Sequence, residues 1–256
     1  MLARPQLGEN IGFVLRLLAN HDWDELVLVA PRQGYEDGAR RTASMCSERL
    51  ERVLVCADVG EAVASNDLVV GLTARRGRER DVFSVERLAD LLALATRPAL
   101  VFGNEESGLD AREVAHCNAL VTIDRPGLTS LNLSHAVAIA IHEATRQEAT
   151  ATKATGAVTL DATRAAKAPS LATHAERQRV EARLRAMRSS YDFRLDDPHV
   201  DGAFARLVKG SRLERRDARM LLRVARHFEW LREARPRDEL SDSQSQSGRG
   251  PTQDEP

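Results

Sequence analysis

The sequence predicts an α/β protein with a mainly parallel sheet, followed by a small helical module. Three observations carry this expectation. Short β-branched runs alternate with longer amphipathic stretches through residues 1–150. Gly, Asn and Ser gather where those strands should hand over to helices. Beyond residue 150 the composition turns to Ala, Thr and Lys, and then to two arginine-rich stretches of helical periodicity.

The candidate strands are LVLVA (26–30), RVLVC (52–56), DLVVGL (67–72), ALVF (99–102) and ALVTI (119–123), each too short and too β-branched for a helix. Helices should fill the gaps between them, most clearly over 11–20, 85–94 and 133–148, the last with Val137, Ala138, Ile141 and Ala144 on one face. Residues 151–175 offer little core and read as an exposed linker. The helical module occupies 176–235, with helices over 176–188 and 215–231; the second offers Met220, Leu221, Val224, Phe228 and Leu231 as a stripe expected to be buried. The polar tail, 236–256, is expected to be disordered.

Composition narrows the class of protein. The 256 residues, 43% of them hydrophobic, can bury one sizeable core and a small second one. No apolar run approaches the roughly 20 residues of a membrane helix, and the amino terminus lacks a signal-peptide pattern, so a cytoplasmic protein is expected. Cys46, Cys56 and Cys117 have neither CxxC spacing nor histidines grouped around them, so neither metal nor disulfide is expected. A formal net charge of −1 hides an uneven distribution: 176–235 holds 16 Lys/Arg against 10 Asp/Glu, while 236–256 is acidic. Arginine grips phosphate in a bidentate fork, so the module is a candidate nucleic-acid surface; an arginine-biased composition would look the same.

Three segments hold the candidate chemistry. In RPQLGENIGFVLR (4–16), Gly8 and Gly12 permit a tight entry into a helix, Asn10 can cap it, and Arg16 lies further along. In VFGNEESGL (101–109), Gly103 lets a ligand approach the backbone, and Glu105 and Glu106 could serve catalysis, hold a ribose or cap the next helix. In IDRPGLTSLNLSHAVAI (123–139), a Pro-Gly loop delivers Ser130, Asn132 and Ser134 to a helix start, while His135 has no partner at metal spacing and reads as packing or surface. Neither GxGxxG nor a P-loop is present, which disfavours a dinucleotide-dependent oxidoreductase.

The ordered trio NIGxxxR, VFGxExSGL and SLNLSxAVAI resembles the motifs of the SPOUT-class RNA methyltransferases, and most closely the TrmJ-type tRNA ribose 2'-O-methyltransferases. "RPQ", "LVLVAPR" and the carboxy-terminal "RRDARMLLRVARHFEWL" extend the likeness over essentially the whole ordered chain. The resemblance implies a SPOUT α/β-knot fold, its sheet domain closed by a carboxy-terminal trefoil knot, and a homodimer that binds S-adenosyl-L-methionine (AdoMet). It implies cofactor contacts from Thr73, Gly103, Asn104, Glu105, Ile123, Pro126, Ser130, Leu131 and Asn132, and catalytic roles for Asn10, Arg16, Ser130 and Asn132. A guanidinium stays protonated, so Arg16 is expected to clamp a phosphate while Ser130, Asn132 or a water handles the ribose proton. RNA contacts are expected from Arg75, Arg76, Arg78 and Arg80, a stretch that could equally be a solvated loop, and from Arg212, Arg215, Arg216 and Arg219. The implied substrate is tRNA at nucleotide 32 of the anticodon loop; rRNA, or a non-catalytic AdoMet- or RNA-binding role, are the alternatives.

Overall fold

The computed structural model describes residues 1–23, 25–74, 82–124, 127, 130–155, 170–190, 198–210 and 212–234. Seven strands form one sheet: β1 (Leu2–Ala3), β2 (Val27–Val29), β3 (Leu54–Cys56), β4 (Leu68–Leu72), β5 (Val82–Ser84), β6 (Pro98–Phe102) and β7 (Ala119–Thr122). Their order is β3-β2-β1-β6-β4-β7-β5, and every pairing is parallel. The five strands expected from the sequence are present with ends shifted by a residue or two; β1 and β5 are additions.

The inner strands are apolar on both sides because both faces are covered, while Leu54 and Val55 of the edge strand β3 are exposed. Alternate residues of β4 divide between two cores: Leu68, Val70 and Leu72 join Leu2, Leu28, Leu100 and Phe102, whereas Val69 joins Ala3, Val29, Val101 and Leu120. The first core is closed by α1 (Gly8–Asn20), α2 (Tyr35–Ala43), α4 (Leu88–Leu92) and α6 (Leu133–Thr155), through residues such as Ile11, Ala39, Leu88 and Ile141. The second is closed by α3 (Val59–Ala62) and α5 (Ala111–Ala115), through Val59 and Val114.

Three further helices follow: α7 (His174–Ser190), α8 (Pro198–Lys209) and α9 (Arg215–Ala234). They share a separate core of Ala172, Val180, Leu184, Val208 and Ala218. Arg177, 2% exposed, lies inside it and donates to the carbonyls of Ala172 (2.9 Å), Val208 (2.9 Å), Gly210 and Leu213 (3.3 Å). Burial pulls its guanidinium down to about 10, which leaves it charged at neutral pH. The group docks on the sheet domain through His174 N–H to Asn66 O (2.8 Å), Ala175 N–H to Ala64 O (3.1 Å) and Asn118 Nδ2 to Lys209 O (3.2 Å). At this junction His116 Nδ1 lies 3.0 Å from His174 Nε2. Burial lowers both imidazoles, that of His174 to about 4 with further help from His116, Lys209 and Arg177.

Two expectations require correction. The stripe on α9 is not buried: Met220 (60% exposed), Val224, Phe228 and Leu231 face outward, and α9 packs inward through Ala218, Leu221, Leu222 and Ala225. Small residues let that face approach closely, and periodicity alone does not say which of two apolar faces is covered. The segment expected as an exposed linker is structured at both ends, since α6 continues to Thr155, and Leu171 and Ala172 are buried, Leu171 forming a β-bridge to Glu214. Residues 156–169 and the tail lie outside the described residues.

Candidate active site

The sheet order reverses direction at β1, whose outer side carries β2 and β3 while the later strands lie across β6, a switch point of the kind where open α/β sheets bind ligands. A cleft of about 280 Å³ opens at the carboxyl ends of β4, β6 and β7. Its apolar wall is Leu72, Phe102, Leu109, Val121, Leu133 and Ala136. Its polar wall comes from Thr73, Asn104, Glu105, Glu106, Ser107 and Ser130.

The loop after β6 is folded on itself. Asn104 Oδ1 accepts from the N–H groups of Glu106 (3.1 Å) and Ser107 (2.7 Å), and from Ser107 Oγ (2.9 Å). A Cβ on Gly103 would lie 2.0 Å from the Gly108 carbonyl carbon, so no larger residue fits there, and Gly108 takes a φ of 66° to close the turn. Arg4 braces the far side, with its guanidinium on Glu113 (2.7 and 2.8 Å) and on Gly108 O (3.2 Å).

Glu105 does not cap the helix that follows it. That role belongs to Asp110, which accepts from Arg112 N–H and Glu113 N–H in a reciprocal capping box with Glu113. The Glu113 N–H, helped by those of Arg112 and by Arg4, holds the Asp110 carboxyl below its ordinary range. Glu105 instead reaches back across the switch point and accepts from Gln6 N–H (2.9 Å), Leu7 N–H (3.3 Å) and Asn10 Nδ2 (2.7 Å). Asn10 is 2% exposed and lies within the first turn of α1, where it does not act as the cap; the N-cap residue is Leu7. Its Oδ1 accepts from Asn132 Nδ2 (3.0 Å), and Asn132 Oδ1 accepts from Ser134 N–H (2.9 Å) and Ser134 Oγ (2.7 Å) at the start of α6. One chain of hydrogen bonds therefore joins all three sequence segments at the rim of the cleft.

Of the residues expected to hold a cofactor, Thr73, Gly103, Asn104, Glu105, Ile123, Ser130 and Leu131 line the cleft, Asn132 stands at its rim, and Pro126 lies outside the described residues. Arg16 is not brought to the cleft. It is exposed on the outer face of α1, a face that also exposes Phe13 (46%), and has no ion-pair partner among the described residues. Arg75, Arg76, Arg78 and Arg80 lie outside the described residues. In the helical group Arg215 is tied to Glu176 (3.1 Å), and Arg216 to Glu214 (2.7 Å) and Asp217 (3.7 Å), while Arg212 and Arg219 are exposed. The acidic Glu9 beside Asn10 is neutralised by an ion pair with Arg41. The sequence did not single out the apolar wall of the cleft, although Leu72, Phe102 and Val121 lie at or next to the ends of expected strands. No group of three or more His, Cys, Asp or Glu able to hold a metal occurs among the described residues, and no helix is long and apolar enough to cross a membrane.

A parallel-sheet cleft with this three-segment rim is the framework of a known class: residues 1–142 match the SpoU rRNA Methylase family, and the chain belongs to that family. The resemblance read from the three motifs is borne out. Among named relatives, the chain is 30% identical over 149 residues to a tRNA (cytidine-2'-O-)-methyltransferase, TrmJ, of Methanocaldococcus jannaschii, covering 56% of this chain and 65% of that one. It is 32% identical over 144 residues to the tRNA (cytidine/uridine-2'-O-)-methyltransferase TrmJ of Escherichia coli K12, covering 52% of this chain and 56% of that one. The matches thus span less than two thirds of either relative. Among solved structures, TrmJ from Z. mobilis ZM4 superposes with a TM-score of 0.70 at 28% identity, over 89% of this chain and 97% of that one.

Proposed function

We propose that the protein transfers a methyl group from AdoMet to a ribose 2'-hydroxyl of tRNA, at nucleotide 32 of the anticodon loop. The observation that carries this reading is the hydrogen-bonded chain Glu105–Asn10–Asn132, which ties the three family segments together at the mouth of the cleft. The cleft suits the donor. It sets an apolar wall for a flat base opposite hydroxyl, amide and carboxylate groups for a ribose and an amino acid, at the small end of ligand-site volumes. When bound, AdoMet supplies an already activated methyl group, so the protein's task is alignment and proton handling.

Residues of this chain divide that task. Gly103, Asn104, Ile123, Pro126, Ser130 and Leu131 hold the cofactor. Asn10 and Asn132 have both ends of their amides engaged and so fix the rim. Ser130, which has no hydrogen-bond partner among the described residues, then stands as the side chain available to relay the ribose proton, directly or through water. Arg16 clamps a substrate phosphate. Its outward position on the face of α1 that also exposes Phe13 supports a homodimer in which this face meets a second copy, bringing Arg16 to the partner's cleft. The carboxy-terminal knot belongs to the same reading, as do a catalytic domain over 1–150 and an RNA-binding helical module over 176–235. So does a cytoplasmic location.

Incubation of the protein with methyl-labelled AdoMet and, separately, unmodified bulk tRNA and rRNA tests the proposal. Label in tRNA is expected. Label confined to rRNA would overturn the substrate, and AdoMet binding without transfer to either RNA would establish a binding role instead.

A further inference from the structure

The helix α9 carries a surface that the cleft does not explain. Arg219, Arg223, Arg226 and Trp230 follow one another at i, i+4, i+7 and i+11, which places them on a single ridge about 16 Å long. All four are exposed, Trp230 by 58%, and the three arginines have no ion-pair partner among the described residues. His227, beside the ridge, stacks on the Trp230 ring with centroids 5.7 Å apart and planes 20° apart. Of the helix's acids, Asp217 and Glu229 lie off this ridge by helical periodicity, while Glu233, at i+14 from Arg219, continues it by one turn. Asp217 pairs with Arg216, Glu229 turns away to Arg183 (2.9 Å), and Glu233 lies beyond Trp230.

We infer that this ridge binds a single-stranded stretch of RNA, with Arg219, Arg223 and Arg226 on successive phosphates and the Trp230–His227 stack receiving an unpaired base. The inference rests on the reading of RNA as substrate. Three guanidinium groups along one line, with no ion-pair partner among the described residues, suit a polyanion, and an exposed indole beside them offers a flat face to any base. The neighbouring apolar residues Met220, Val224 and Leu231 invite a second copy of the chain as the occupant. An isologous contact there would bring two arginine rows near one another, and charge complementarity therefore favours RNA.

Trp23 and Trp230 are the only tryptophans, so Trp23→Phe in the full chain makes Trp230 the sole indole reporter; circular dichroism checks that this variant keeps its fold. Single-stranded oligouridylate is expected to quench its fluorescence saturably, and a duplex RNA of equal length to do so far less. Trp230→Ala in the otherwise natural chain should weaken oligouridylate binding about tenfold without changing its salt dependence. The Arg219→Gln, Arg223→Gln, Arg226→Gln triple variant should lower the slope of log Kd against log salt by about 2. Equal quenching by duplex, or unchanged binding in both variants, would overturn the inference, as would a fall in solution mass in Trp230→Ala that marked the ridge as a contact between copies. If the wild type methylates tRNA while both variants keep its KM, the inference falls and the proposed function stands. If the ridge binds oligouridylate but no RNA is methylated, the reverse holds.

Discussion

Replacing Glu105 by Gln tests the rim of the cleft with a change of one atom. In the wild-type structure the carboxylate takes three donors, two on Oε1 (Leu7 N–H and Asn10 Nδ2) and one on Oε2 (Gln6 N–H). The amide of Gln has one acceptor oxygen. If it keeps the Oε1 pair, its NH2 group faces the Gln6 N–H, donor against donor. The lost bond was charge-assisted and costs about 2 kcal/mol, and the two that remain are weakened by loss of charge. Should that cost fall on the placement of Asn10, kcat/KM declines roughly thirtyfold at 1.4 kcal/mol per factor of ten. Steady-state methyl transfer to tRNA at saturating AdoMet reads the effect, with thermal melting as the control for folding. Because Asn10 and Asn132 lie on the same chain of bonds, Glu105→Gln combined with Asn132→Ala should cost less than the two single losses together. A folded Glu105→Gln protein within twofold of wild type would refute the reasoning.

Further outcomes are expected elsewhere. Arg16→Lys should keep fold and AdoMet affinity yet lose most turnover, since Lys cannot make the bidentate phosphate contact; unaltered kcat would remove Arg16 from the mechanism. Arg177→Met leaves four carbonyls without their donor in the interior of the helical group and should destabilise that group by about 4 kcal/mol, visible as a new low-temperature melting transition. An unshifted melt would show those bonds to be dispensable. Stability should also fall in acid. The docked His174 favours its neutral form, with its pKa lowered to about 4 from 6.5, so its contribution is fully present above pH 6.5 and is lost as pH falls through 4, up to a ceiling of about 3 kcal/mol. Melting temperatures from pH 7.5 to 4 should show this slope in the wild type and a shallower one in His174→Asn; parallel curves would contradict it.

What the sequence made legible follows physical lines. Strands β2, β4, β6 and β7 announce themselves because a sheet covered on both faces needs continuous apolar runs, and the edge strand β3 does so through its run of Val and Leu although Leu54 and Val55 are exposed. Strand β1, only Leu2–Ala3, and β5, the half-buried Val82–Ser84, are too short to show a pattern. Helix α8 carries Val200, Phe204, Leu207 and Val208 at helical spacing, a signal that the two longer arginine-rich stretches around it overshadow. The cleft was visible as Gly, Asn and Ser at strand ends, but the work of Glu105 was not. Its partners stand 95 to 99 residues away, and a carboxylate just before a helix reads locally as a cap. The α9 stripe misled for a related reason, since an apolar period identifies a face and the tertiary partner decides whether it is covered.

The central claim is that the bond formed is to a ribose oxygen of tRNA. Nuclease digestion of tRNA methylated by the purified protein, followed by mass spectrometry of the nucleosides and mapping of the labelled fragment, examines it directly. The account predicts a 2'-O-methylated nucleoside from position 32 of the anticodon loop. A methyl group on a base, or no methylated nucleoside at all despite AdoMet binding, would contradict it.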